Sequence, residues 1–197
     1  MSIVLQGSTS GSVTLQEPAV AGSTVLTLPA VSGTVLTTGS SGQSIPKAAL
    51  PNGSVLQVVQ GTSSTSTSIS STSYTDTSLS ASITPTSATS KILVLASMSG
   101  RFYINANLNR QFFLSIVRAS TTVFIKATSD LQAGVGTSGY AIWPIIDSLS
   151  YLDSPNTTSS TTYKIQGKVS DTNNATVIEI NGAATSSSSI ILMEIAA

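Results

Sequence analysis

Asp147 and Asp153 flank the pentapeptide SLSYL within YAIWPIIDSLSYLDSPN, residues 140 to 156. Two carboxylates a few ångströms apart can cleave a glycosidic bond, one donating a proton and the other acting as nucleophile or base. This is the one enzyme chemistry the composition leaves open. The chain has no His and no Cys, which excludes Ser-His-Asp and Cys-His triads, thiolate metal sites and disulfides. A nucleophilic Ser would have to find its base among eight scattered Lys and Arg. Asp commonly serves loops by making turn hydrogen bonds, and the chain is read as non-enzymatic, with no catalytic residue assigned.

The same stretch holds the only Trp, Trp143, between Tyr140 and Tyr151. An aromatic face can stack on a sugar ring while nearby polar groups bind its hydroxyls. Tyr140, Trp143, Tyr151 and Asp153 are therefore the candidate glycan contacts. The alternation also suits a core or subunit interface, with Tyr140, Ile142, Pro144 and Ile146 on one side and Trp143 and Ile145 on the other. Elsewhere the signals for chemistry are weaker. Asp171-Thr172-Asn173-Asn174 lacks the spacing and Glu of a calcium loop and reads as a turn, so no metal site is assigned. Gly134 to Gly139, GVGTSG, matches no phosphate-binding fingerprint and leads toward a strand, so it reads as a hairpin loop and no cofactor is expected. Arg101, Arg110 and Arg118 lie among Phe and Tyr but make no broad basic groove for single-stranded nucleic acid.

These residues must be positioned by strands. About a third of the 197 residues are Ser or Thr, only 8% are charged and 40% are apolar. Disorder goes with low hydrophobicity and high net charge, whereas the eight acidic and eight basic residues here cancel. Abundant Val, Ile and Thr with few Glu and Lys favour strands over helices. A balanced charge gives no field for nucleic acid or an anionic membrane. The start, MSIVLQG, lacks a basic region before its short apolar run, and no run is long enough for a membrane-spanning helix. The expectation is a soluble all-β protein made in the cytoplasm, without membrane insertion. The sequons at Asn52, Asn156 and Asn174 carry little meaning in that setting.

The N-terminal region, residues 1–40, nearly repeats itself. Gly11, Gly22 and Gly33 are eleven residues apart, and Pro18-Ala19-Val20 returns as Pro29-Ala30-Val31. Each unit reads as a Gly-Ser/Thr turn and a short strand, such as Thr24–Leu28, ended by Pro29. Ordering the eleven backbones of Gly22 to Ser32 costs roughly 11 to 22 kcal/mol. Its four large apolar side chains return roughly 6 to 12 kcal/mol if fully buried. Such a unit needs stacked neighbours, and about three units are the usual minimum. The missing burial must come from other chains or a larger assembly. Either copies of the chain coil about a common axis, burying Val13, Leu15, Val25, Leu26, Leu28, Val35 and Leu36 between them, or the region is an arm along a neighbouring protein.

Residues 41–53, rich in Ser and Gly with two Pro, read as a linker. Residues 54–197 carry about ten short strands separated by turn clusters, the pattern of a β-sandwich or jelly roll. The expected strands are Val55–Val59, Ser68–Tyr74, Leu79–Thr84, Ile92–Met98, Phe112–Arg118, Thr122–Lys126, Tyr140–Ile146, Thr162–Val169, Thr176–Ile180 and Ile190–Ile195. ILVLASM and IILMEI are apolar at successive positions, which suggests central strands or a sheet whose outer face meets another subunit.

The opening VLQVVQ, the stretch TDTSLSASITPTSATSKILVLASMSGRF and the closing SSSSIILMEIAA resemble the C-terminal β domains of fibre-like virion proteins of tailed bacteriophages. The repeat GSVTLQEPAVAGSTVLTLPAVSGTVLT is similar to segments that precede such domains. The resemblance implies a homotrimeric virion structural protein, with an intertwined β tower ahead of a β-sandwich. It allows a short fibre whose N-terminal segment binds other virion proteins and whose outer loops touch host glycans. It equally allows a decoration protein bracing capsid subunits, and a glycan-cleaving tailspike would require the paired carboxylates. The native masses of the full chain and of a chain beginning at Ser54 test the shared-repeat expectation. A trimer that loosens or dissociates on truncation is expected, and a monomeric full chain would make residues 1–40 an arm.

Overall fold

A computed structural model describes residues 3–15, 50–104, 109–127, 131–132, 141–172, 176–182 and 186–197. The repeat positions Val25, Leu26, Leu28, Val35 and Leu36, and the expected strand Thr24–Leu28, lie outside the described residues. The chain divides into two compact units, Met1–Ser44 and Ile45–Ala197. In the first, β1 (Ile3–Gln6) and β2 (Ser12–Leu15) form an antiparallel hairpin with Ile3 opposite Leu15 and Gln6 opposite Ser12. Its turn closes with Gly7 N–H donating to the Gly11 carbonyl at 2.8 Å, and Gly11 takes φ 76°, which favours glycine. The interface candidates Val13 and Leu15 sit in β2.

The second unit is built from β3 (Val55–Ser63), β4 (Thr67–Ile69), β5 (Thr75–Ile83), β6 (Lys91–Ile104), β7 (Asn109–Arg110), β8 (Phe112–Arg118), β9 (Thr121–Ala127), β10 (Leu131–Gln132), β11 (Ala141–Asp153), β12 (Thr161–Val169), β13 (Val177–Ile180) and β14 (Ser188–Ile195). No helix occurs among the described residues. The larger sheet runs β3-β14-β6-β11, with β13 beside the far half of β6 and β4 beside β13. The smaller runs β5-β12-β8-β9, and every pairing is antiparallel. Setting aside β4, β13 and the short β7–β10 pair, eight strands remain. In chain order they fall 1-8-3-6 in one sheet and 2-7-4-5 in the other, the order of a jelly roll.

Strand alternation supplies the core between the sheets. Ile92, Val94, Ala96 and Met98 of β6, with Ile190 and Leu192 of β14, meet Leu79 and Ile83 of β5, Leu114 and Ile116 of β8, and Tyr163 and Ile165 of β12. Gly61 permits a close approach of β3 to β5, since a Cβ there would stand 2.2 Å from the Ser80 carbonyl oxygen. Pro144 is accommodated because β11 is an edge strand that pairs only β6.

Several expected strands change extent. Of Ser68–Tyr74, only Ser68 and Ile69 join a ladder, because Ser71 turns the chain back on itself by accepting from Ser73 N–H at 3.0 Å. Conversely, β6 and β11 run well past Met98 and Ile146. Their residues pair without interruption from Ile92 opposite Asp153 to Ile104 opposite Ala141.

Along its other edge β6 meets β14 up to Ser97 and β13 from Gly100, so Ser99 faces the break between them. A buried polar knot satisfies it. Ser99 N–H donates to Ser188 Oγ at 3.1 Å, and Asn181 N–H donates to the Ser99 carbonyl at 2.9 Å. Ser188 Oγ donates to Asn181 Oδ1 at 2.8 Å, and Asn181 Nδ2 donates to the Ser63 carbonyl at 2.9 Å. Asn181 holds φ 55°, a conformation Asn tolerates better than most residues. Asn181→Ala keeps the strained backbone and leaves buried partners unsatisfied, so it should lower unfolding free energy by about 3 kcal/mol in urea denaturation.

Candidate functional site

The candidate residues of β11 share one strand and, by alternation, one face. Trp143, Ile145, Asp147, Leu149, Tyr151 and Asp153 are two residues apart in succession and turn toward the smaller sheet. Asp153 is 5% exposed. Arg118 Nη1 donates to its Oδ1 at 3.0 Å and its Oδ2 at 2.8 Å, while Tyr163 Oη–H donates to Oδ2 at 2.7 Å. Tyr151 stacks on Phe124 of β9, with centroids 5.5 Å apart and planes inclined by 28°. Asp147 is paired with Lys126 of β9, whose ammonium also donates to the Ser148 carbonyl at 3.0 Å. Trp143, 39% exposed, keeps part of its ring at the surface. Tyr140 lies outside the described residues.

The arrangement is a seam. Each polar or aromatic group of β11 from Asp147 to Asp153 on this face is met by a partner from β8, β9 or β12. Arg118 and Tyr163 complete it, and nothing in local sequence marks either as a partner of Asp153, since their sequence separations from it are 35 and 10. Glycosidase chemistry requires carboxyl groups roughly 5 to 10 Å apart. Asp147 and Asp153 are separated by six residues of extended strand, about 20 Å, and each is already engaged by a cation. The two carboxylates hold sheets together in this geometry.

Burial raises the Tyr163 hydroxyl well above its ordinary value, and the hydrogen bond to the Asp153 carboxylate raises it further. A second buried carboxylate closes the opposite edge. Glu194, at 0% exposure, receives Thr86 N–H and Thr86 Oγ1–H on Oε1, each at 2.7 Å, and Gln57 Nε2–H on Oε2 at 2.5 Å. Burial alone would raise its pKa. The donors from Thr86, Gln57 and Ser90 outweigh that effect and hold it below the ordinary 4.5. Beside it opens a depression of about 410 Å³, lined by Leu50, Leu56, Thr86, Ser87, Ser90 and Ala197 among others. Its lining carries no charged side chain among the described residues. No group of three or more acidic, His or Cys residues able to hold a metal occurs among the described residues. No described helix is long and apolar enough to cross a membrane.

No family model matches the chain, and no curated protein matches it. Among solved structures, a chain of the Gx strain of infectious bursal disease virus is similar over 95% of this chain and 43% of that one, at 14% identity and a TM-score of 0.33. A chain of the T13 viral particle of the same virus is similar over 95% and 42%, at 14% identity and a TM-score of 0.31. The present chain thus spans less than half the length of either. At that identity and overlap, neither likeness defines a family.

Tyr163 and Glu194 are shifted in opposite directions. A depressed Glu194 contributes stability above its unfolded value, and that contribution is lost as pH falls below about 4.5 through the folded value. Glu194→Gln should therefore flatten the acid limb of the stability–pH curve. A raised Tyr163 contributes stability that is lost above about pH 10, where the unfolded chain ionises. Tyr163→Phe should remove that alkaline dependence while costing about 2 kcal/mol at neutral pH, read from urea unfolding at each pH.

Proposed function

We propose that this chain is a non-enzymatic structural protein of a tailed-bacteriophage particle, a homotrimeric short fibre assembled in the host cytoplasm. Its N-terminal segment attaches to other virion proteins, and its sandwich contacts host surface glycans. The observation that carries the reading is a jelly-roll order in the same chain as an eleven-residue repeat that cannot bury its own apolar residues. Jelly rolls build viral capsid and lectin domains alike, so one architecture serves both a durable particle component and a sugar-contacting one. Architecture alone does not name a function. The fibre-like sequence segments and the engagement of both candidate carboxylates in the inter-sheet seam support the non-enzymatic reading. Glycan contact falls chiefly to Trp143, the more exposed of the two described aromatic candidates.

Quantitative mass spectrometry of purified particles and deletion of the gene test this together. A fibre is expected in a few trimers per particle, and its loss should block adsorption while leaving the capsid sound. Hundreds of copies, with particles that become heat-labile on deletion, would make it a decoration protein bracing capsid subunits. Absence from purified particles would overturn the virion reading.

A further inference from the structure

The two outer faces of the sandwich are solvated differently. On the smaller sheet, Ser82 bonds Thr162 at 2.7 Å, and Asp76 accepts from Lys164 at 2.9 Å and from Gln166 at 2.8 Å. That face carries its own polar lattice. On the larger sheet, register places Val58, Met193, Leu93 and Leu152 in one line across four strands. The next outward line is Gln60, Ile191, Leu95 and Ser150, apolar at its two central strands, and the line on the other side carries Val55 and Ile195. Among the described residues of this unit, the exposed large apolar side chains are Val55, Val58, Ile125, Ile142, Trp143, Ile146 and Leu152. All but Ile125 and Trp143 stand on this one face, with Ile146 at 89% exposure.

We propose that a second copy of this chain covers the outer face of the larger sheet, which turns toward the symmetry axis of the homo-oligomer. The inference rests on the homo-oligomeric reading above and names the surface of the sandwich that makes it. Area is the first argument. The strands β3, β14, β6 and β11 hold 9, 8, 14 and 13 residues, and at about 3.4 Å per residue and about 4.8 Å between strands they give a face on the order of 700 Å². That is close to what each partner contributes to a standard stable interface.

Self-complementarity is the second argument. Residues that lie close to a symmetry axis meet their own copies there, so a charge at that place would meet its like. The three apolar lines hold no formal charge except Lys91, at the outer end of the Val55–Ile195 line. The line beyond them is Thr62, Ser189, Ser97 and Ser148, all hydroxyls. A hydroxyl both donates and accepts, so this belt complements a copy of itself. Arg101, farther along the same face, is bonded to Tyr103, which donates to Glu179.

The absence of Cys from the sequence permits a site-specific test in the full chain. Ser97→Cys and Ser80→Cys place single thiols at exposed positions on the larger and smaller sheets respectively, and a short bismaleimide reports which face adjoins its copy. Native mass is measured in parallel for the unmodified chain, for Val58→Lys with Leu152→Lys, and for the control Ile125→Lys. All three positions are about half exposed, so urea midpoints should stay near the parent value. The expected result is an inter-chain cross-link for Ser97→Cys and none for Ser80→Cys, with a threefold drop in mass for the paired Lys variant alone. An oligomeric parent whose Ser97→Cys variant does not cross-link and whose paired Lys variant keeps its mass overturns this surface and leaves the homo-oligomer joined elsewhere. A parent that is monomeric at every concentration overturns both.

Discussion

A fourteen-residue strand, β6, must have its backbone hydrogen bonds satisfied along both edges, and most of the sandwich follows from how that is done. One edge is met by β11 alone. The other is too long for β14 and is completed by β13, which leaves a gap opposite Ser99. An unpaired buried amide and carbonyl there would cost several kcal/mol. Asn181 and Ser188 fill the gap with one amide and one hydroxyl, and Asn181 also ties down the turn after β3. The knot thus fixes where β13 ends, where β14 begins and how β3 approaches β5.

Because β11 takes its register from β6, the same pairing decides the chemistry of its side chains. A one-residue slip would exchange the two faces of the strand. Asp147, Tyr151 and Asp153 would then face outward, and Ile146 and Leu152 would fill the seam. The observed register is held by the bidentate contact of Arg118 with Asp153 and by the Tyr163 hydroxyl. A buried carboxylate without partners would be strongly unfavourable, so the ion pair matters here less as a source of net stability than as a selector between registers. This is why the two carboxylates that flank SLSYL are engaged between the sheets.

Strand positions were legible because alternation survives locally. Phe112–Arg118 matches β8, and Thr162–Val169 lacks only the first residue of β12. Extensions such as Leu149–Asp153 were not, because Ser-rich segments read as turns until a long partner strand pairs them. The partners of Asp153 and Glu194 were hidden for a different reason, since contacts across a jelly roll join residues far apart in sequence, as Thr86 and Glu194 are at a separation of 108. The runs ILVLASM and IILMEI did carry a visible signal in being apolar on both faces. What sequence could not supply was their register, which sets Leu93 beside Met193 and extends the line to Val58 and Leu152.

The unusual composition can be read against these two outer faces. A sandwich must solvate whatever it leaves exposed, and most proteins use Lys and Glu for this. Here only 8% of residues are charged, and hydroxyls take their place. On the smaller sheet, Ser82 and Thr162 pair with one another near the Asp76–Lys164 ion pair. On the larger sheet Ser and Thr form a single line beside the apolar ones. Charge would solvate either face as well as hydroxyls do. It would also repel its own image wherever copies of one chain meet around an axis. A surface dominated by hydroxyl and apolar side chains lacks the electrostatic repulsion that keeps most proteins apart. The scarcity of charge and the apolar line across β3, β14, β6 and β11 together leave a face with little electrostatic repulsion of any kind.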